Sequence, residues 1–215
     1  MEPRAEEFSD VDIKAVLDNC RLDYVYEPDW PRLVSRTCGL LASAKTVAWF
    51  QNARSGTAAV SAERVVLSDP TARFVRDNIN GFLLGRALDS PLPVVVSITH
   101  AKAALTDPPA VFERRPSTPQ EDSRTAFGAA VDPEGRCDVC VIDPASAAAI
   151  GDLCDAWQAR TGRPALVAID FTVDGERPVC DPRAAVQAFF SSAIDALVMG
   201  RFLLMKDYWL MRSGT

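Results

Sequence analysis

A single histidine, His100, is all the imidazole this chain has. Chemistry that needs a histidine pair, such as zinc held by H-E-x-x-H, is therefore excluded, and any imidazole general base must be His100. Cations are in deficit, with 23 Lys and Arg against 29 Asp and Glu and a formal net charge of −6. Binding along a phosphate backbone runs on clustered Lys and Arg, so nucleic acid is not an expected partner. Long apolar runs are missing too. The richest stretch, Ala184 to Met205, is broken by Gln187, Ser191, Ser192, Asp195 and Arg201, which excludes a comfortable bilayer span and predicts no membrane partner. The opening residues Met1 to Phe8 lack the basic start and apolar core of a signal peptide. The expected location is the cytoplasm, where the six cysteines stay reduced. There is no G-x-S-x-G elbow and no glycine loop able to cradle a phosphate, and no cofactor is indicated.

What is present is the material of a folded protein: 215 residues, 48% hydrophobic and 24% charged, enough for one substantial core. Ser9 or Asp10 should cap a helix over Val11 to Asn19. A strand over Leu22 to Tyr26 should stop at Pro28, and Pro31 should sit in the first turn of a helix running to about Ala44. Thr46 to Gln51 reads as a central strand, Ser55-Gly56 as a turn, and Arg64 to Leu67 as the second hairpin strand. Apolar spacing over Thr71 to Leu88 predicts a helix. Leu92 to Thr99 reads as a strand, and the proline-rich stretch from Asp107 to Arg136 as a long loop. Then come a strand over Asp138 to Ile142, a helix over Ala145 to Arg160, a strand over Ala165 to Phe171 and a hairpin turn at Asp174-Gly175. A long closing helix is expected over Arg183 to Leu204, followed by an aromatic tail over Lys206 to Met211.

The second half echoes the first. Glu63-Arg64-Val65-Val66-Leu67-Ser68-Asp69-Pro70 resembles Glu176-Arg177-Pro178-Val179-Cys180-Asp181-Pro182, and the stretch from Ile79 through Gly85-Arg86 resembles that from Ile194 through Gly200-Arg201. Both echoes keep the same order, which predicts two diverged βαββα modules related by a pseudo-twofold, their sheets covered by helices, in an α/β (α+β) fold. The implied organisation is an N-terminal segment and capping helix (1–21), a first module with an added strand (22–106), an inter-module loop (107–136), a second module (137–205) and the tail (206–215).

Cys137 and Cys140 form a C-x-x-C with Cys154 and Cys180 downstream. Residues three apart on a strand face opposite ways, so these thiols are read as structural and the protein as metal-independent. His100 stands at the end of the most apolar strand with Lys102 close by, and Asp170 is an acid inside an apolar strand. His100 and Asp170 are thus the candidate catalytic residues. Arg64 and Arg177, equivalent in the repeat, join Lys102 as candidate ligand-binding residues for a carboxylate or phosphate. The expected function is a small enzyme or ligand-binding domain for a small anionic metabolite held in a cleft between the modules. The alternative is a non-catalytic interaction or assembly subunit, or a homodimer, that uses the aromatic tail and the long loop.

Overall fold

Alternation along the strands decides the architecture. In β2 (Val47–Phe50), Val47 and Trp49 face one layer while Ala48 and Phe50 face the other. The same alternation of two apolar faces runs through β3 (Arg64–Ser68), β7 (Ala165–Asp170) and β10 (Ala196–Met199). A strand apolar on both faces has to be covered on both. The protein, a computed structural model describing residues 7–52, 62–173 and 177–206, accordingly places a nine-stranded mixed sheet between two helical layers.

The strand order is β1-β11-β10-β2-β3-β7-β4-β6-β5. The remaining strands are β1 (Val25–Tyr26), β4 (Val94–Ser97), β5 (Arg114–Ser117), β6 (Cys137–Ile142) and β11 (Phe202–Met205). β8 (Thr172–Val173) and β9 (Arg177–Pro178) form a separate hairpin. One layer is built by α2 (Trp30–Ala42) and α5 (Ala148–Thr161), which pack Leu33, Leu41, Leu153 and Trp157 against Trp49, Leu67 and Leu166. The other holds α1 (Asp10–Asn19), α3 (Ile98–Ala104), the short α4 (Arg124–Phe127) and α6 (Pro182–Ser191), together with a π-helix over Asp77–Leu83.

Local signals set the helix starts. Ser9 Oγ accepts from Asp12 N at 3.2 Å while Asp12 Oδ2 accepts from Ser9 N at 2.8 Å, a complete capping box. Asp29 and Asp181 cap α2 and α6, each followed closely by proline. α5 is different: its N-cap, Ala147, has no side chain able to accept.

Several expectations are corrected. The helix expected over Thr71 to Leu88 reduces to the π-helix turns, and Phe82 is 76% exposed. The closing helix expected over Arg183 to Leu204 is α6 followed by the hairpin β10–β11, turned at Gly200 with φ +56°. Ile79–Leu88 and Ile194–Leu203 thus hold different secondary structure. β3 is a central strand, whereas its supposed copy β9 lies outside the large sheet, so the repeat does not correspond to a structural duplication. The halves also interleave, because β2 pairs with β10 and β3 with β7. The stretch from Asp107 to Arg136 is not a plain loop: it contributes the edge strand β5 and buries Ser117, Phe127 and Ala130. The Ser55-Gly56 turn, Asp174-Gly175 and the tail beyond Lys206 fall outside the described residues.

Candidate functional site

The candidate residues separate into two groups. His100 lies in α3, with Nε2 3.3 Å from Asp155 Oδ1, an oxygen that also accepts from Thr99 Oγ1 at 2.9 Å. Lys102 is exposed on the same helix. Asp170 ends β7, at the opposite end from Ala165, which pairs with Val96 just before α3. Five strand steps amount to about 16 Å, so His100 and Asp170 do not meet in one site. Arg64 and Arg177 belong to the Asp170 end. Arg64 is buried at the start of β3, where its Nη1 donates to Cys180 O at 2.7 Å and its guanidinium lies 4.7 Å from the Phe50 ring centroid. Arg177 is exposed in the β8–β9 hairpin. Cys137 and Cys140 point to opposite layers, and burial pushes both thiols up, Cys137 to about 12.

Two cavities flank the Asp170 end of the sheet. The larger, about 340 Å³, is lined by Asp170, Thr172, Ser191, Ser192, Phe171 and the exposed Phe82. It gathers hydroxyls and one exposed carboxylate. The second, about 310 Å³, contains a buried carboxyl. There Glu63, 1% exposed, sits just before β3 and faces the start of α5. Its Oε1 accepts from the backbone amides of Ala149 and Ile150 at 3.1 and 3.3 Å, and its Oε2 accepts from Trp49 Nε1 at 3.3 Å. Glu63 thereby supplies the cap that Ala147 cannot give α5. Burial pushes its carboxyl up from 4.5 to about 7, outweighing those three hydrogen bonds, with Asp152 adding a smaller push in the same direction.

The rest of the wall is polar. Asp10, Gln51, Asn52, Asp152 and Arg201 line it together with Trp30. Trp30 Nε1 donates to Asp152 Oδ2 at 2.7 Å, and the Arg201 guanidinium lies 5.0 Å from the Trp30 ring centroid while its Nη1 donates to Pro28 O at 3.1 Å. Gln51 Nε2 donates to Gly200 O at 3.1 Å, tying β2 to the β10–β11 turn. Gly200 has to be glycine: its φ is left-handed, and a Cβ would come within 2.7 Å of Ile13 Cδ1 and 3.2 Å of Asp10 Oδ1. The close approach of α1 that makes one wall of the cavity depends on that missing side chain.

A family model described as Carbamoyltransferase C-terminus matches residues 38–206, which holds every strand of the large sheet except β1. The chain belongs to the carbamoyltransferase C-terminus family. Among solved structures, this family member is similar to a double-alanine variant of Sua5 from P. abyssi, with 12% identity, 78% of this chain and 48% of that chain covered, and a TM-score of 0.53. At that identity the likeness is one of fold, and the chain spans about half the length of that structure. No curated protein matches the chain in sequence. The matched stretch contains Glu63, Gln51, Asp152 and Arg201. Glu63 and its neighbours escaped the sequence reading, which treated Glu63 only as a landmark of the repeat. The amides it caps lie 86 and 87 residues away, and no local pattern announces them. Among the described residues, no helix is long and apolar enough to cross a membrane.

Proposed function

We propose that this chain is the substrate-handling part of a carbamoyl-transferring enzyme, and that the Glu63 cavity binds a small carbamoyl-bearing anion. The observation that carries the reading is a buried carboxyl, poised near neutrality, that lies in the family's matched stretch and in the wall of a cavity lined mostly by that stretch. A carbamoyl group offers two N–H donors and one carbonyl acceptor in a plane. The lining fits that demand: Glu63, Asp10 and Asp152 are acceptors, Arg201 is the cation for the ligand's negative end, and Trp30 supplies a flat wall. Transfer of the carbamoyl carbon moves a proton between the attacking group and the leaving group, and a carboxyl with a pKa near 7 can carry a proton into the site and give it up there at neutral pH. Asp170, Arg64 and Arg177 belong to the same end of the sheet, where Asp170, in the wall of the first cavity, would face an acceptor rather than the carbamoyl group.

Isothermal titration with freshly prepared carbamoyl phosphate at pH 7 tests the reading. Saturable binding is expected, weakened about tenfold in Arg201→Ala, the size of one lost charge-assisted hydrogen bond. Undetectable binding at millimolar ligand, or equal affinity in the variant, would refute it. The exposed Phe82 and Phe190 favour a second reading for the larger cavity, as a face that meets another copy of the chain; a monomeric native mass at high concentration would dismiss that.

A further inference from the structure

Resting on that reading of the cavity, we infer that binding of an anion beside Glu63 is coupled to uptake of one proton by the Glu63 carboxyl. Among the described residues, no cation bonds to the carboxyl. Among the described residues its three partners are neutral: two backbone amides at the start of α5 and the Trp49 indole. α5 brings Asp152 and the buried thiol Cys154, α1 brings Asp10, and the β10–β11 turn brings Arg201. α2 brings only the neutral Trp30 to the cavity. Among the described residues, two carboxylates and one guanidinium thus share the cavity with Glu63, and the guanidinium is already drawn toward Pro28 O and the Trp30 ring.

A ligand carrying negative charge into this cavity adds repulsion in a place that water screens poorly. Two outcomes are open to the carboxyl: to move away or to take a proton. Moving would uncap α5, whose first amides have no other side-chain acceptor among the described residues. Taking a proton preserves the cap, since the carbonyl oxygen still accepts from Ala149 and Ile150, and it turns the other oxygen into a donor for the ligand. The free carboxyl ionises at about 7, so uptake is largest just above neutrality, where the empty site is ionised and the filled one is not.

The experiment is calorimetry with carbamoyl phosphate in paired buffers of different ionisation enthalpy, from pH 6 to 9. Close to one proton should be taken up per ligand at pH 8, falling toward none at pH 6, and affinity should drop roughly five- to tenfold per pH unit above pH 7.5. Glu63→Gln should bind with no uptake and a flat profile. Binding without uptake in the wild type, or a slope that persists in Glu63→Gln, overturns the inference and leaves the cavity's ligand class standing; no binding at any pH removes both. If Glu63→Gln does not fold, Asp152→Asn serves instead: losing a neighbouring negative charge should shift the onset of the slope to lower pH, and an unmoved onset counts against the coupling.

Discussion

Replacing Glu63 by glutamine should reverse the order of stability of the two proteins between acid and alkaline pH. The carboxyl ionises at 4.5 in an ordinary setting and at about 7 in the fold. A group whose folded value is raised contributes stability that is complete below the unfolded value and is lost as pH climbs to the folded one. The window is therefore pH 4.5 to 7. Each unit of difference is worth about 1.4 kcal/mol, so the wild type should lose about 3 kcal/mol across that window through this one group. Glutamine has no such loss. Its carbonyl can keep the amides of Ala149 and Ile150, but its NH2 then faces the Trp49 N–H, and forfeiting that hydrogen bond costs about 1 kcal/mol. The variant should thus be less stable below about pH 5 and more stable, by about 2 kcal/mol, above pH 7. Urea unfolding followed by tryptophan fluorescence, repeated from pH 4.5 to 8.5, measures both curves. Parallel curves would mean that Glu63 enters the fold already ionised, and the account of the cavity's electrostatics would fail.

Gly200→Ala should destabilise by about 1 to 3 kcal/mol, read by the same unfolding assay, because the left-handed turn and the contact with Ile13 both resist a Cβ. Leu197→Ala, in the buried centre of β10, should cost about 2 to 5 kcal/mol, whereas Phe82→Ala, on the surface, should stay within about 0.5 kcal/mol. Hydrogen exchange should find the amides of Thr106, Phe112 and Gln120 protected, since each donates to a backbone carbonyl within or beside the stretch that composition alone would leave as an open loop. Free exchange there would restore the loop.

Strands β2, β3, β6 and β7 were legible because short apolar runs with turn residues at their ends leave few other options. The cap at Ser9 and the helix start at Pro31 were legible for a similar reason, each being set within a few residues. The stretch from Ile194 to Leu204 was not. Its apolar residues satisfy a helical stripe and a doubly buried hairpin equally well, and Gly200 in a left-handed turn is what separates the two. The repeat misled for the same reason, since similar strings were folded by different surroundings. The α/β class survived these errors; the partition into modules did not. Of the candidate site residues, Asp170 does line a cavity, while Glu63 is defined by contacts with β2 and α5 that only the assembled fold creates.

The insertion of β10 beside β2 has a consequence for how the chain comes into being. During synthesis, Val47 to Phe50 emerge roughly 150 residues before the strand that will cover their outer edge, at ribosomal speeds on the order of ten seconds. Throughout that interval an apolar edge carrying Trp49 and Phe50 has its backbone donors and acceptors open to other chains. A stop codon or a protease cut anywhere between α6 and β10 would make that interval permanent. The product would keep most of its mass and nearly all its helices, yet behave as an aggregation seed.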